Sequence, residues 1–109
     1  MKKLLAVLLL LALSTVSSAG VFIYGWSLLS FLEEGTENSV SIATGYVLGV
    51  SDTLSALNLI CVPDNIDNGQ LTVMAKNHLK NNPSIRHKGS ADEIGALYIR
   101  TFPCNDSPK

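Results

Sequence analysis

Between residues 20 and 70 this 109-residue chain holds no lysine and no arginine, and it has only two histidines, two cysteines and one tryptophan. Each scarcity excludes something. His78 and His87 are spaced like no zinc pattern, so the sequence predicts no metal centre, and nothing in it calls for a cofactor. No glycine-rich phosphate loop occurs. Ser51 follows Val50 and Gly49, but Thr53 stands where a nucleophile elbow needs glycine. No two carboxylates stand at a spacing that fits acid–base work. These absences predict that the protein is not an enzyme. Period-two alternation, the mark of a half-buried strand, is missing everywhere except Val21–Tyr24.

One long apolar run is present, at the start. Lys2 and Lys3 precede the apolar stretch Leu4–Leu13, and Ser17-Ser18-Ala19 supplies small residues at the positions a signal peptidase reads. The stretch is too short to cross a bilayer alone. Residues 1–19 are thus expected to be a signal peptide cut before Gly20. Residues 20–109 are expected to form a single domain exported to an oxidising space, with no membrane attachment after cleavage. No cysteine near Ala19 offers a lipid attachment point. The rival reading, an uncleaved anchor, draws on the apolar Val21-Phe22-Ile23-Tyr24 that follows.

Export governs how the cysteines are read. Outside the cytosol, an isolated pair such as Cys61 and Cys104 defaults to one structural disulfide. It would close a loop of about 44 residues, for which loop-closure entropy gives roughly 4 kcal/mol. A disulfide also removes the free thiol that Cys–His nucleophilic catalysis needs. Without Lys2 and Lys3, six basic residues face nine acidic ones, which argues against a nucleic-acid partner. The charges are segregated. Residues 20–70 carry Glu33, Glu34, Glu37, Asp52, Asp64 and Asp67, and all the basic residues follow. A bipolar surface suits protein partners or self-association.

The rest reads as helices, giving an all-α fold class: a small four- to five-helix domain with one disulfide. Residues 25–34 place apolar side chains at helical spacing and stop at Gly35, a natural C-terminal cap. Residues 39–59 form the longest predicted helix, with Val40, Ala43, Val47, Val50, Leu54 and Leu57 along one stripe. Its other face is small: Ser41, Gly45, Gly49, Asp52 and Ala56. A helical glycine costs about 1 kcal/mol relative to alanine, so two of them four apart predict close approach of another backbone. Gly45, Gly49 and Asp52 therefore mark either a tight crossing within the chain or a dimer seam. Cys61–Asn65 is a turn. Asp67 and Gln70 form a capping box, and Ile66 and Leu71 a hydrophobic staple, at the start of a helix that ends at Asn82-Pro83. Residues 84–89 read as an exposed polar connection. Ile85, Arg86, His87 and Lys88 in it are candidates for partner binding, since recognition favours loops carried on rigid helices. Ser90 and Glu93 suggest a second capping box, and the last helix runs to Pro103.

Five pieces then line up in order. They are Gly45-Tyr46-Val47-Leu48-Gly49-Val50-Ser51-Asp52 (a GYxxGxxD pattern), Cys61-Val62-Pro63-Asp64, Gly69-Gln70-Leu71, Asn82-Pro83 with Arg86-His87, and Phe102-Pro103-Cys104. Over about residues 25–104 the chain resembles the Rap/Tai-type immunity proteins, which protect bacteria against type VI secretion amidase effectors. The resemblance implies a small helical periplasmic protein, usually a homodimer, whose partner is a peptidoglycan amidase effector that it inhibits by plugging or covering the active-site groove. Many such proteins carry a second cysteine pair. Here Phe31-Leu32 and Ala43-Thr44 occupy those places without cysteine. Two other classes share the export signal and the helical content: an acid-stress periplasmic chaperone and an envelope accessory subunit. Chaperones of that kind tend to carry more charge than the 16% found here.

Overall fold

Local capping signals and a few long-range backbone bonds define the helices of the computed structural model, which describes residues 2–4, 6 and 20–105. The expected signal peptide and its cleavage site lie almost wholly outside the described residues. Helix α1 spans Gly25–Glu33 and buries Leu28, Leu29 and Leu32 on one face. Gly35 ends it at φ +71°, a left-handed conformation that a side chain would strain.

Helix α2, Glu37–Ala56, starts two residues earlier than its apolar pattern predicts, because Thr36 caps it. The Thr36 hydroxyl accepts from the Ser39 N–H at 3.3 Å, and Glu37 complements the positive end of the helix. The helix also stops early. Asn58 turns left-handed at φ 57°, one of the few residue types that does so at low cost, and the chain leaves the helical path. Leu57 is consequently 61% exposed rather than part of the core. The buried positions are Ala43, Val47 and Ser51, one per turn. Ser51 satisfies its hydroxyl by donating to the Val47 carbonyl at 3.0 Å.

Helix α3, Asn68–Asn81, begins at the capping box that its sequence predicts. The Gln70 N–H donates to Asp67 Oδ1 and the Asp67 N–H to Gln70 Oε1, both at 2.8 Å. A 3-10 turn, Pro83–Ile85, leads to α4, Ser90–Thr101. Here the expected second capping box is absent. Gly89, not Ser90, holds the N-cap position, and Ser90 lies inside the helix with its hydroxyl buried and unpartnered. The start of α4 is held from outside instead: the Ser90 N–H donates to the Ile23 carbonyl at 2.9 Å. Tyr24 and Gly89 form a single antiparallel bridge, all that remains of the strand pattern in Val21–Tyr24.

The four helices pack around Leu28, Val47, Leu79, Ile94 and Tyr98, each fully buried. Tyr98 crosses this core and donates its hydroxyl to the Leu71 carbonyl, tying α4 to α3. Burial pushes the Tyr98 phenol far above its ordinary value, against a smaller opposing effect of the Ser51 hydroxyl beside it. Cys61 and Cys104 are joined, with Cα atoms 4.9 Å apart. The bond fastens the chain just past α4 to the segment after α2, where the Cys61 N–H also donates to the Phe102 carbonyl at 2.9 Å. The fold is thus all-α, with four α-helices and one 3-10 turn between residues 20 and 105 and one disulfide.

Candidate functional site

The connection from α3 to α4 is less free than its polar sequence implies. Ile85 is half-buried against the core. Arg86 is half-buried as well, and its guanidinium caps the end of α3: Nε donates to the Leu79 carbonyl at 2.9 Å and Nη2 to the Lys80 carbonyl at 2.7 Å. Its backbone is engaged too. The Arg86 carbonyl accepts from the Trp26 N–H, and the Lys88 carbonyl from the Gly25 N–H, both at 2.9 Å. Of the four residues predicted here as partner contacts, only His87 and Lys88 are exposed. Lys88 reaches Glu93 at 3.9 Å, a loose surface pair worth little. The connection is therefore a rigid strap across the N-terminal end of α1 that presents His87 and Lys88.

The glycine face of α2 corrects a second expectation. A β-carbon placed on Gly45 or Gly49 would meet nothing within 4 Å, so among the described residues no tight crossing is made there. The face points away from the bundle because Ala43, Val47 and Ser51 hold the opposite side of the helix against the core. Asp52 is exposed to solvent beside it. Close backbone approach occurs elsewhere. A β-carbon on Gly25 would lie 3.0 Å from the Arg86 Cα and 3.0 Å from Leu79 Cδ2.

Gly45 and Gly49 instead line an open groove of about 500 Å³ between α2 and the start of α4, walled by Tyr46, Val50, Leu54 and Ala91. Tyr46 sits at its rim. Burial raises the Tyr46 phenol above its ordinary value, the Ala91 N–H draws it back down, and the Asp92 carboxylate adds to the rise.

A second recess lies on α1 and was not singled out by the sequence. Trp26, Leu29, Ser30, Glu33, Glu34 and Arg86 enclose about 390 Å³. The signal that could have found it is the chain's single tryptophan, placed one residue into an amphipathic helix on the side away from Leu28 and Leu32. Among the described residues no group of His, Cys, Asp or Glu is arranged to hold a metal ion, and no helix is long and apolar enough to cross a membrane. His78 lies on α3 with Nε2 buried and unpartnered, and Asn82 donates to its backbone carbonyl at 2.8 Å.

A sequence model of the Rap1a immunity proteins matches residues 27–104, from the first turn of α1 to the second cysteine of the disulfide. No curated protein and no solved structure matches the chain significantly. Proteins of this family act by binding a secreted effector, are secreted or periplasmic, and are generally not enzymes.

Proposed function

The chain belongs to the Rap1a immunity protein family, and we propose that it works in the periplasm, where it binds and inhibits a peptidoglycan amidase delivered by a type VI secretion system. The observation that carries this reading is the family match across all four helices. The order of its sequence pieces, from the GYxxGxxD helix to Phe102-Pro103-Cys104, supports the amidase as target. The protein contributes no chemistry of its own. It acts as a rigid body that occupies the effector's surface, and the disulfide and the capped helices supply the rigidity. His87 and Lys88, held out on the strap between α3 and α4, are the contacts assigned to that segment; Ile85 and Arg86 hold the strap in place.

We further propose that two copies pair through the glycine face of α2. The groove at Gly45 and Gly49 is open and mostly apolar, which is what a second helix needs to come close. Asp52, exposed at its edge, would stay in solvent at the rim of that seam.

The test is direct. The amidase encoded by the neighbouring reading frame is purified and its cleavage of peptidoglycan followed with and without this protein. Stoichiometric inhibition is expected, and cells exporting the amidase should lyse only when this protein is absent. An amidase that neither binds nor is slowed by the protein sinks the reading.

A further inference from the structure

Trp26 is the chain's single tryptophan, and it is 60% exposed. A large aromatic side chain left in water on an otherwise well-packed helix marks a contact surface, because tryptophan supplies much area at little loss of rotamer freedom. Its position is fixed. The Trp26 N–H is bound to the Arg86 carbonyl at 2.9 Å and the neighbouring Gly25 N–H to the Lys88 carbonyl at 2.9 Å, so the base of the side chain cannot swing.

Two carboxylates stand beside it. Glu33 and Glu34 edge the recess. The Glu34 carboxylate is aimed by Ser39, whose hydroxyl donates to it at 2.8 Å. Arg86 also lines the wall, with Nε and Nη2 held by the Leu79 and Lys80 carbonyls. One cation already visits the rim: Lys80 Nζ stands 3.7 Å from Glu33 Oε1, both side chains largely in solvent and the pair easily exchanged.

We propose that this recess is the docking site for a cationic side chain of the effector, an arginine or lysine that lies against the Trp26 ring while its charge meets Glu33 and Glu34. An aromatic face flanked by carboxylates attracts a guanidinium twice, through the ring quadrupole and through the carboxylate oxygens. The inference rests on the effector-binding reading above and adds the face that is used and the chemistry that recognises it.

The chain is labelled with 5-fluorotryptophan, which gives a single fluorine signal from Trp26, and titrated with the purified amidase encoded beside its gene. The signal should shift at saturation. W26A should weaken binding at least tenfold, W26F by a few-fold, and E34Q by roughly threefold with a flatter salt dependence. Affinity of W26A within twofold of wild type, or an unshifted fluorine signal in the saturated complex, overturns the docking site while effector binding stands. A wild-type protein that does not bind the amidase removes both. Trp26 is exposed, so W26A should keep its thermal transition. If it does not, E34Q and the fluorine shift decide alone.

Discussion

Glycine has opposite consequences at Gly25 and Gly49, and the difference lies in what a single methyl group would touch. At Gly25 it would press on the Arg86 backbone at 3.0 Å, which cannot yield without moving the strap. Gly25→Ala should cost about 1–3 kcal/mol, read from urea unfolding. At Gly49 the space is empty, so Gly49→Ala keeps only the gain in helix propensity, about 1 kcal/mol. Measured at dilutions where the protein is monomeric, its melting temperature should rise by about 4–8 °C. Sedimentation at higher concentration should show weakened self-association if the glycine face is the seam. A fall in monomer stability would mean that the face is covered from within the chain after all. Tyr98 makes a residue-scale prediction in pH. Burial raises its phenol above the usual value near 10, so the fold favours the neutral form. That contribution is complete below pH 10 and is lost as the pH rises above 10 toward the folded value. Tyr98→Phe should lose about 1–2 kcal/mol at neutral pH, from the missing bond to Leu71, yet show a flatter decline on the alkaline side. Parallel alkaline limbs for the two proteins would place the titration elsewhere.

Helix starts were legible in proportion to how local their causes are. The start of α3 is written in five residues, Ile66 to Gln70, and the structure reproduces it to the residue. Asp67→Ala should remove about 0.5–2 kcal/mol and fray the first turn, visible as faster amide exchange there. The start of α4 carries a similar pattern, Ser90-x-x-Glu93, and there the pattern misleads. The Ile23 carbonyl, more than sixty residues away, takes the Ser90 N–H that a local capping box would have used. No window of neighbouring residues contains that information. The ends of α2 were misjudged for a different reason. Apolar periodicity marks the buried stripe, not the caps, and Thr36 and Asn58 were each available as cap signals. Arg86 shows the same limit at the site. As a polar loop residue it read as a contact for a partner, whereas it is the C-terminal cap of α3. Arg86→Ala should therefore cost about 1–2 kcal/mol of stability by itself. Any loss of inhibition in that variant must be compared at temperatures where both proteins are folded.

At the scale of the molecule, the disulfide and the family were the most legible features, since both rest on identity and order along the chain rather than on three-dimensional packing. Two cysteines after an export-like leader leave one pairing, and the structure makes it. The Trp26 recess and the open glycine groove were not legible, because facing inward or outward depends on which stripe of each helix wins the core. The double Cys61→Ser, Cys104→Ser variant should lose roughly 2–5 kcal/mol in chemical denaturation. A smaller loss would mean that the packing of Phe102 and Ile60 already fixes the two ends.

The strap between Gly25 and Arg86–Ser90 also acts on timing. Its partners lie at opposite ends of the described domain, and the disulfide likewise waits for Cys104. A chain emerging N-terminus first, from a ribosome or a pore, holds α1, α2 and α3 in hand before either fastening can close. Contacts this distant along the sequence are slow to form, and their partners are the last to arrive. The domain thus stays loose, and able to be threaded, until about its final twenty residues appear. Truncation within α4 should leave a chain that never locks.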